Sequence, residues 1–332
     1  MSTVLEVNDL KGYYRPRFEP EVKAVDGVDF SMAEGEVLGV AGESGCGKST
    51  LAKCLMKRFK KPLEYVDGEV ILNGENLYDK EDKDIKENYL ACEISYVPQS
   101  AMNALNPTLK VKRFIWHLMK SHYSELTNNE IMDRAMSRVE DLNLPERVLD
   151  NYACELSGGM KQRVIIMIST MLNPTLLIAD EPTSALDVST QKVLVKMFKK
   201  LIEEEIFKSL IFITHDLTTL RHACDRIAIM YAGRFVEIGT VEQIVFDPVH
   251  PYTEALISSI LVPEPGIREK ELINIPGTPP NLKDPPPGCR FAPRCNYALE
   301  KCTVEESEWV NVKGRPVKCD VVAKKKGDGS DE

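Results

Sequence analysis

The sequence predicts an α/β fold built on a mostly parallel sheet covered by helices, with a smaller loop-rich module at its end. Three observations point there. A glycine-rich loop, Gly42-Glu43-Ser44-Gly45-Cys46-Gly47-Lys48-Ser49, sits between an apolar run and a helical pattern. Short apolar runs alternate with helical patterns between Ser157 and Met230, the order expected of parallel strands with crossover helices. Beyond about Phe246 the composition turns to proline, with Pro279-Pro280 and Pro285-Pro286-Pro287 marking a linker and appendix. A chain of 332 residues, 43% of them hydrophobic, is long enough for one sizeable core plus that module.

The elements follow in order. From Leu5 to Phe30 apolar and polar positions alternate, and Tyr13-Tyr14 and Val25-Asp26-Gly27-Val28 read as two strands of an antiparallel pair. Val37-Leu38-Gly39-Val40-Ala41 reads as a buried strand, and Thr50 to Met56 as the first turns of a helix. Gly68 to Leu72 is a short strand of the early sheet, ended by an Asn73-Gly74 hairpin turn. Ile94 to Gln99 is another strand. From about Lys110 to Asn151 the period is helical, with Phe114, Leu118, Ile131, Ala135, Val139 and Leu142 as the apolar stripe of a separate lobe. A helix from Ser157, a strand Leu176–Asp180, a helix from Val188, a strand Leu210–Thr214, a further helix and a strand Ile227–Met230 complete the α/β order. No internal repeat is present, and Lys324 to Glu332 is expected to be disordered.

Charge and cysteines narrow the function classes. A net charge of -9 argues against coating nucleic acid, which relies on neutralising phosphates. No run of about 18 apolar residues could span a bilayer, and the N-terminus has no basic-then-apolar signal. A soluble cytosolic protein is expected. Cys46, Cys54, Cys92, Cys154 and Cys224 are scattered and read as small apolar fillers, whereas Cys289, Cys295, Cys302 and Cys319 crowd the end. In a reducing compartment clustered thiols more often ligate metal than pair as disulfides.

The glycine-rich loop explains itself through its backbone. Glycines at 42, 45 and 47 reach angles closed to other residues, so consecutive N–H groups can face phosphate oxygens. The helix starting near Lys48 adds its positive end. Lys48 would then reach the β- and γ-phosphates, Ser49 would hold Mg²⁺, and Thr50 would touch the α-phosphate of a nucleoside triphosphate. Asp180 follows four apolar residues, so its carboxylate emerges at the C-terminal end of a buried strand, where open α/β sheets bind ligands. It can hold Mg²⁺ through water, and Glu181 can serve as general base for the attacking water. The blander reading of these acids is a helix cap.

Leu156-Ser157-Gly158-Gly159-Met160-Lys161-Gln162-Arg163 matches the signature sequence of ABC transporter ATP-binding subunits, and between Val4 and Gly239 the chain resembles that family. The resemblance implies a P-loop NTPase with a RecA-like core, an antiparallel β subdomain and a helical subdomain at about residues 100–165, all within residues 1–245. It makes Gln99 the Q-loop glutamine that senses Mg²⁺, Ser184-Ala185-Leu186-Asp187 the D-loop, and His215 the switch histidine near the γ-phosphate. Tyr14 is the candidate adenine stacker, with Tyr13 the competing choice. Ser44, Cys46, Ser157, Gly158, Gly159 and Asp187 join the expected nucleotide set. Catalysis is assigned to Lys48, Gln99, Glu181 and His215, and Mg²⁺ to Ser49, Gln99 and Asp180.

Ser157 caps a helix whose first N–H groups are left uncovered by two glycines, a second anion site that one subunit alone does not need. In the family it meets ATP held by the opposite subunit, so that triphosphate closes a head-to-tail pair and hydrolysis releases it. An ordinary capped helix explains the serine but not both glycines.

The His250-Pro251-Tyr252-Thr253 stretch and Pro287-Gly288-Cys289-Arg290-Phe291-Ala292-Pro293-Arg294-Cys295 resemble the C-terminal extension of oligopeptide and dipeptide importer ATPases, here residues 246–332. That implies a D-type subunit working with two permease subunits, a second ATPase or a copy of itself, and an extracytoplasmic binding protein, on the cytoplasmic membrane face and without nucleic acid. The late cysteines are spaced C-x5-C-x6-C-x16-C. Four thiolates suit a [4Fe-4S] cluster or tetrahedral Zn²⁺; the absence of a tight C-x2-4-C knuckle and the subfamily resemblance favour the cluster, as a staple for an appendix with little core. Oligosaccharide or nickel cargo stays open. So does a soluble ABC ATPase of translation or DNA repair, although neither a second cassette nor a long coiled-coil insertion is present.

Overall fold

The computed structural model describes residues 2–99, 104–184, 186–259 and 275–327, arranged along the chain as follows. Strands β1 (Thr3–Tyr14) and β2 (Val22–Ala33) precede β3 (Val37–Ala41) and helix α1 (Lys48–Leu55). Then come β4 (Leu63–Leu72), β5 (Glu75–Asn76), β6 (Ile94–Val97), α2 (Val111–His122), α3 (Asn128–Asp141), α4 (Gly158–Ser169), β7 (Leu176–Asp180) and α5 (Val188–Glu203). β8 (Ser209–Ile213), α6 (Leu217–Ala223), β9 (Arg226–Tyr231), β10 (Arg234–Thr240), α7 (Val241–Phe246) and α8 (Pro251–Ser258) follow. The chain ends with α9 (Glu300–Val304), β11 (Trp309–Val312), β12 (Arg315–Lys318) and α10 (Asp320–Gly327).

These elements form two compact units. The first comprises Met1–Val4, Ala33–Val37 and Leu77–Thr214. Its strands β6, β7 and β8 pair in parallel, Val97 opposite Ala179 and Asp180 opposite Ile213. Every residue of β7 and β8 is buried, which is why each carries a run of four apolar residues rather than an alternation. In the helical part, α3 buries Ile131, Ala135 and Val139, with Leu142 just beyond, as its period predicts. It starts on a capping box of Thr127 and Glu130. The stripe expected on α2 is displaced: Val111, Ile115 and Met119 are buried while Phe114 and Leu118 are half-buried. Both sets keep a spacing of four, so period alone could not choose between adjacent faces of an apolar helix.

The second unit comprises Leu5–Met32, Leu38–Asn76 and His215–Glu332. One sheet has the order β2-β1-β4-β5, with β1 antiparallel to β4 and the Asn73-Gly74 turn delivering Leu72 opposite Glu75. Both turn residues have positive φ, 51° and 82°, the hairpin geometry expected of Asn-Gly. β3 runs parallel to β9, β9 antiparallel to β10, and β10 antiparallel to β12.

The extension adds one feature to the expected loop-rich module and corrects another. β11 and β12 form a hairpin across Lys313-Gly314, and Val317 of β12 pairs with Glu237 of β10. Two four-residue strands, one containing Pro316, give too short an alternation to stand out. Residues 324–327, expected to be disordered, continue α10; residues 328–332 lie outside the described residues. So does Ala185 of the D-loop.

Candidate functional site: a phosphate loop, an acidic strand end and a cysteine cavity

In the second unit the glycine-rich loop leaves β3 and enters α1 as predicted. Gly42, Gly45 and Gly47 all have positive φ, at 154°, 78° and 112°. Gly42 and Gly47 are also sterically obligatory: a Cβ would lie 2.0 Å from Met230 O at the first and 2.1 Å from Ala24 O at the second. Lys48 is buried, and its Nζ donates to Gly42 O at 2.7 Å and Glu43 O at 3.0 Å, so the ammonium is drawn across the loop. Cys46 is buried beneath it, and burial pushes its thiol pKa up. Ser49 is half-buried and Ser44 exposed.

The two tyrosines separate cleanly. Successive strand residues face opposite sides: Tyr13 is buried, with its hydroxyl donating to Asp26, whereas half-buried Tyr14 places its hydroxyl 3.1 Å from Thr50 Oγ1 at the end of the loop. Burial, then the bond to Asp26, pushes the Tyr13 phenol far above its ordinary value. His215 lies two residues past β8 and is exposed; the next residue, Asp216, caps α6 through Thr218 N–H.

In the first unit the parallel register does the assembling. Because Val97 lies opposite Ala179, the chain two residues beyond that pair brings Gln99 and Glu181 side by side, and Gln99 Nε2 donates to Glu181 Oε2 at 2.9 Å. Glu181 has φ 47° and its N–H donates to Ile213 O at 2.8 Å, so an otherwise disfavoured backbone angle is locked by β8. Asp180 is 1% exposed and its Oδ2 accepts from the Tyr96 hydroxyl at 2.9 Å. Tyr96 belongs in the site although no sequence pattern marks it.

Ser157 caps α4, its Oγ accepting from Met160 N–H. A Cβ built on Gly159 meets nothing within 4 Å, so packing inside the described chain does not require glycine there. Asp187, expected in the nucleotide set, caps α5: it accepts from the Ser189 hydroxyl and from Thr190 N–H and Oγ1. Those bonds, led by Ser189, hold its carboxyl well below the usual range.

The four late cysteines converge. Cys289, Cys295, Cys302 and Cys319 line one small cavity with His250 and Phe291, and Cys289 N–H donates to Cys302 O at 2.8 Å. Yet among the described residues no group of three or more His, Cys, Asp or Glu is arranged to hold a metal ion. The expected cluster or zinc ligand set is therefore not supported, although its four cysteines come to one place. Burial pushes the Cys289 and Cys319 thiols up to about 11 and raises Cys295.

Comparison with known proteins decides the family. The ABC transporter family model matches residues 25–184, and the model for the oligopeptide/dipeptide transporter C-terminal region matches residues 236–302. The dipeptide transport ATP-binding protein DppD of Caldanaerobacter subterraneus subsp. tengcongensis is 38% identical over 315 residues, 95% of either chain. The chain belongs to the ABC transporter ATP-binding family. Within that family the oligopeptide transport ATP-binding protein OppD of Bacillus subtilis is 41% identical over 90% of this chain and 83% of its own. Among solved ABC cassettes, dimeric MJ0796 in a post-hydrolysis state with ADP and phosphate superposes with a TM-score of 0.63 at 27% identity, over 71% of this chain and 98% of that one. The fold is that of a P-loop ABC ATPase with mixed α/β sheets. No helix among the described residues is long and apolar enough to cross a membrane.

Proposed function

We propose that this chain is the ATP-hydrolysing subunit of a dipeptide or oligopeptide importer, of the D type. One observation carries the reading: its likeness to peptide-transport ATP-binding proteins runs through both the cassette and the peptide-transporter C-terminal region. Residues 1–245 would form the nucleotide-binding domain, with the helical part at about 100–165, and residues 246–332 the extension.

The loop around Gly42, Ser44, Gly45, Cys46 and Gly47 presents N–H groups to the triphosphate. Lys48 neutralises its β- and γ-oxygens, Thr50 meets the α-phosphate, and Tyr14 stacks on adenine. Ser49, Gln99 and Asp180 would hold Mg²⁺, which supplies charge neutralisation on the phosphates. Glu181 takes the proton of the attacking water, oriented by Gln99, and His215 holds the γ-phosphate end. Ser157, Gly158 and Gly159 offer a second anion site to ATP on a facing ATPase chain; the open space over Gly159 supports an approach from outside the chain. Asp187, which caps the start of α5, completes the expected nucleotide set. Two integral permeases, a second ATPase or a copy of this chain, and indirectly a binding protein complete the assembly at the cytoplasmic membrane face.

Co-expression with permeases tests this. The chain is expected to co-purify with them and its turnover to rise severalfold when peptide-loaded binding protein is added. Isolation with ribosomes or DNA instead, or indifference to peptide, contradicts the reading.

The four cysteines suggest a metal by donor chemistry alone: all four residues line one small cavity, although no three of them are arranged to ligate. Cys289, Cys295, Cys302 and Cys319 would hold a [4Fe-4S] cluster, with Zn²⁺ the alternative, stapling a segment poor in core. Chain purified without oxygen is expected to be brown, with broad absorbance near about 400 nm and about four irons. Colourless chain with stoichiometric zinc reverses the choice of metal.

A further inference from the structure

The extension reaches the phosphate loop itself. Arg294 closes the short turn Ala292–Arg294, whose backbone is tied by Ala292 N–H to Cys289 O and Arg294 N–H to Phe291 O, both at 2.9 Å. Its side chain, 6% exposed, turns toward the loop. There Nη1 donates to Glu43 Oε2 at 2.8 Å and Nη2 to Glu43 Oε1 at 3.2 Å, a two-pronged grip on the second residue of the loop. The guanidinium is held in turn: Nε donates to Pro276 O at 2.7 Å and Nη1 to the Tyr231 hydroxyl at 3.1 Å.

A second residue of the extension takes the backbone. The hydroxyl of Tyr252, 0% exposed, accepts from Glu43 N–H at 3.0 Å, and the Tyr252 ring packs on Tyr231 at 4.4 Å and Phe291 at 5.4 Å. Lys48 Nζ holds Glu43 O at 3.0 Å. Every polar group of Glu43 is thereby engaged: carboxylate by Arg294, N–H by Tyr252, carbonyl by the loop lysine. A half-buried loop residue needs none of this for solubility, and a lone surface ion pair contributes little. A buried arginine spent on a residue between two phosphate-loop glycines acts on the shape of that loop.

We propose that Arg294, assisted by Tyr252, is a positioning residue for nucleotide: the extension pre-shapes the phosphate loop and so sets ATP affinity. This rests on the assignment of the loop to a triphosphate. A loop already fixed loses less conformational freedom when the ligand arrives, so binding is tighter without any contact between Arg294 and ATP. The cysteine cavity adjoins the same turn through Cys289 and Cys295, which places the order of that module one residue from the grip.

The test is equilibrium binding of a fluorescent ATP analogue and steady-state hydrolysis on the full-length chain. Arg294→Met is expected to weaken analogue binding and raise KM by about tenfold, with kcat within about twofold, because only the cost of ordering the loop changes. Arg294→Lys keeps the charge but not the fork and should lose about threefold. Exchanging the charges, Glu43→Arg with Arg294→Glu, should recover most of the affinity lost by either single change. Wild-type affinity in Arg294→Met, with only a lower melting temperature, overturns the proposal. If that variant does not fold, unchanged affinity in both Arg294→Lys and Tyr252→Phe overturns it equally. Failure of the wild-type chain itself to bind the analogue would instead sink the triphosphate assignment.

Discussion

Replacing Glu181 by glutamine is expected to lower ATP hydrolysis by roughly two to three orders of magnitude while ATP stays bound, the range that loss of a general base produces. The substitution is nearly isosteric. Its amide oxygen can still accept from Gln99 Nε2, as Oε2 does at 2.9 Å, and its backbone keeps the N–H bond to Ile213 O. Only the negative charge and the proton-accepting capacity are lost. Phosphate release in steady state, set beside equilibrium nucleotide binding, separates the two effects. Turnover undiminished in Glu181→Gln removes Glu181 from the role of base and leaves water activation to another group.

Gly47→Ala is expected to be more damaging than its single methyl suggests. The residue sits at φ 112° and its new Cβ would fall 2.1 Å from Ala24 O and 2.9 Å from Met230 Cε, so either β2 or the start of α1 must move. Strain of about 1–3 kcal/mol is typical of such a backbone position even before the clash. Nucleotide affinity is expected to fall at least about a hundredfold, since loop N–H groups displaced by an ångström no longer converge on one phosphate. Gly45→Ala is the internal control: φ is 78°, but nothing lies within 4 Å of the added carbon, so strain acts without collision and the loss should be smaller. Titration with a fluorescent nucleotide, beside urea unfolding, checks both. Equal affinities for the two variants would mean that the close approach to β2 does not shape the loop.

Much of this site was legible in the sequence because its parts are short and covalently continuous. The phosphate loop needs three particular glycines, and β7 needs an apolar run ending in an acid; both read directly. Gln99 beside Glu181 is different, because that pairing is a product of strand register, which no local pattern states. Tyr14 stands ahead of Tyr13 by resemblance alone; which of the two is buried depends on the side of the sheet each faces. The cysteines could be grouped by spacing, but Cys319 follows the β11–β12 hairpin, whose two four-residue strands are too short to announce themselves. Arg294 and Tyr252 were part of a recognisable C-terminal pattern, yet their partner Glu43 lies 251 and 209 residues away respectively, a contact made only by folding.

In the proposed function the active centre is divided: one chain grips the triphosphate and the signature helix of a facing chain completes it. Mixing two disabled forms tests this most directly. Lys48→Ala lacks the triphosphate grip but keeps its signature; Gly159→Asp places a carboxylate in the second anion site but keeps its phosphate loop. Each alone is expected to hydrolyse ATP at no more than about a hundredth of the wild-type rate. An equal mixture is expected to regain up to about a quarter, because half the pairs are mixed and each mixed pair holds one intact composite site. If wild-type chain alone turns over ATP, a mixture no more active than its components contradicts a divided centre, and so does full wild-type turnover by chains kept singly apart.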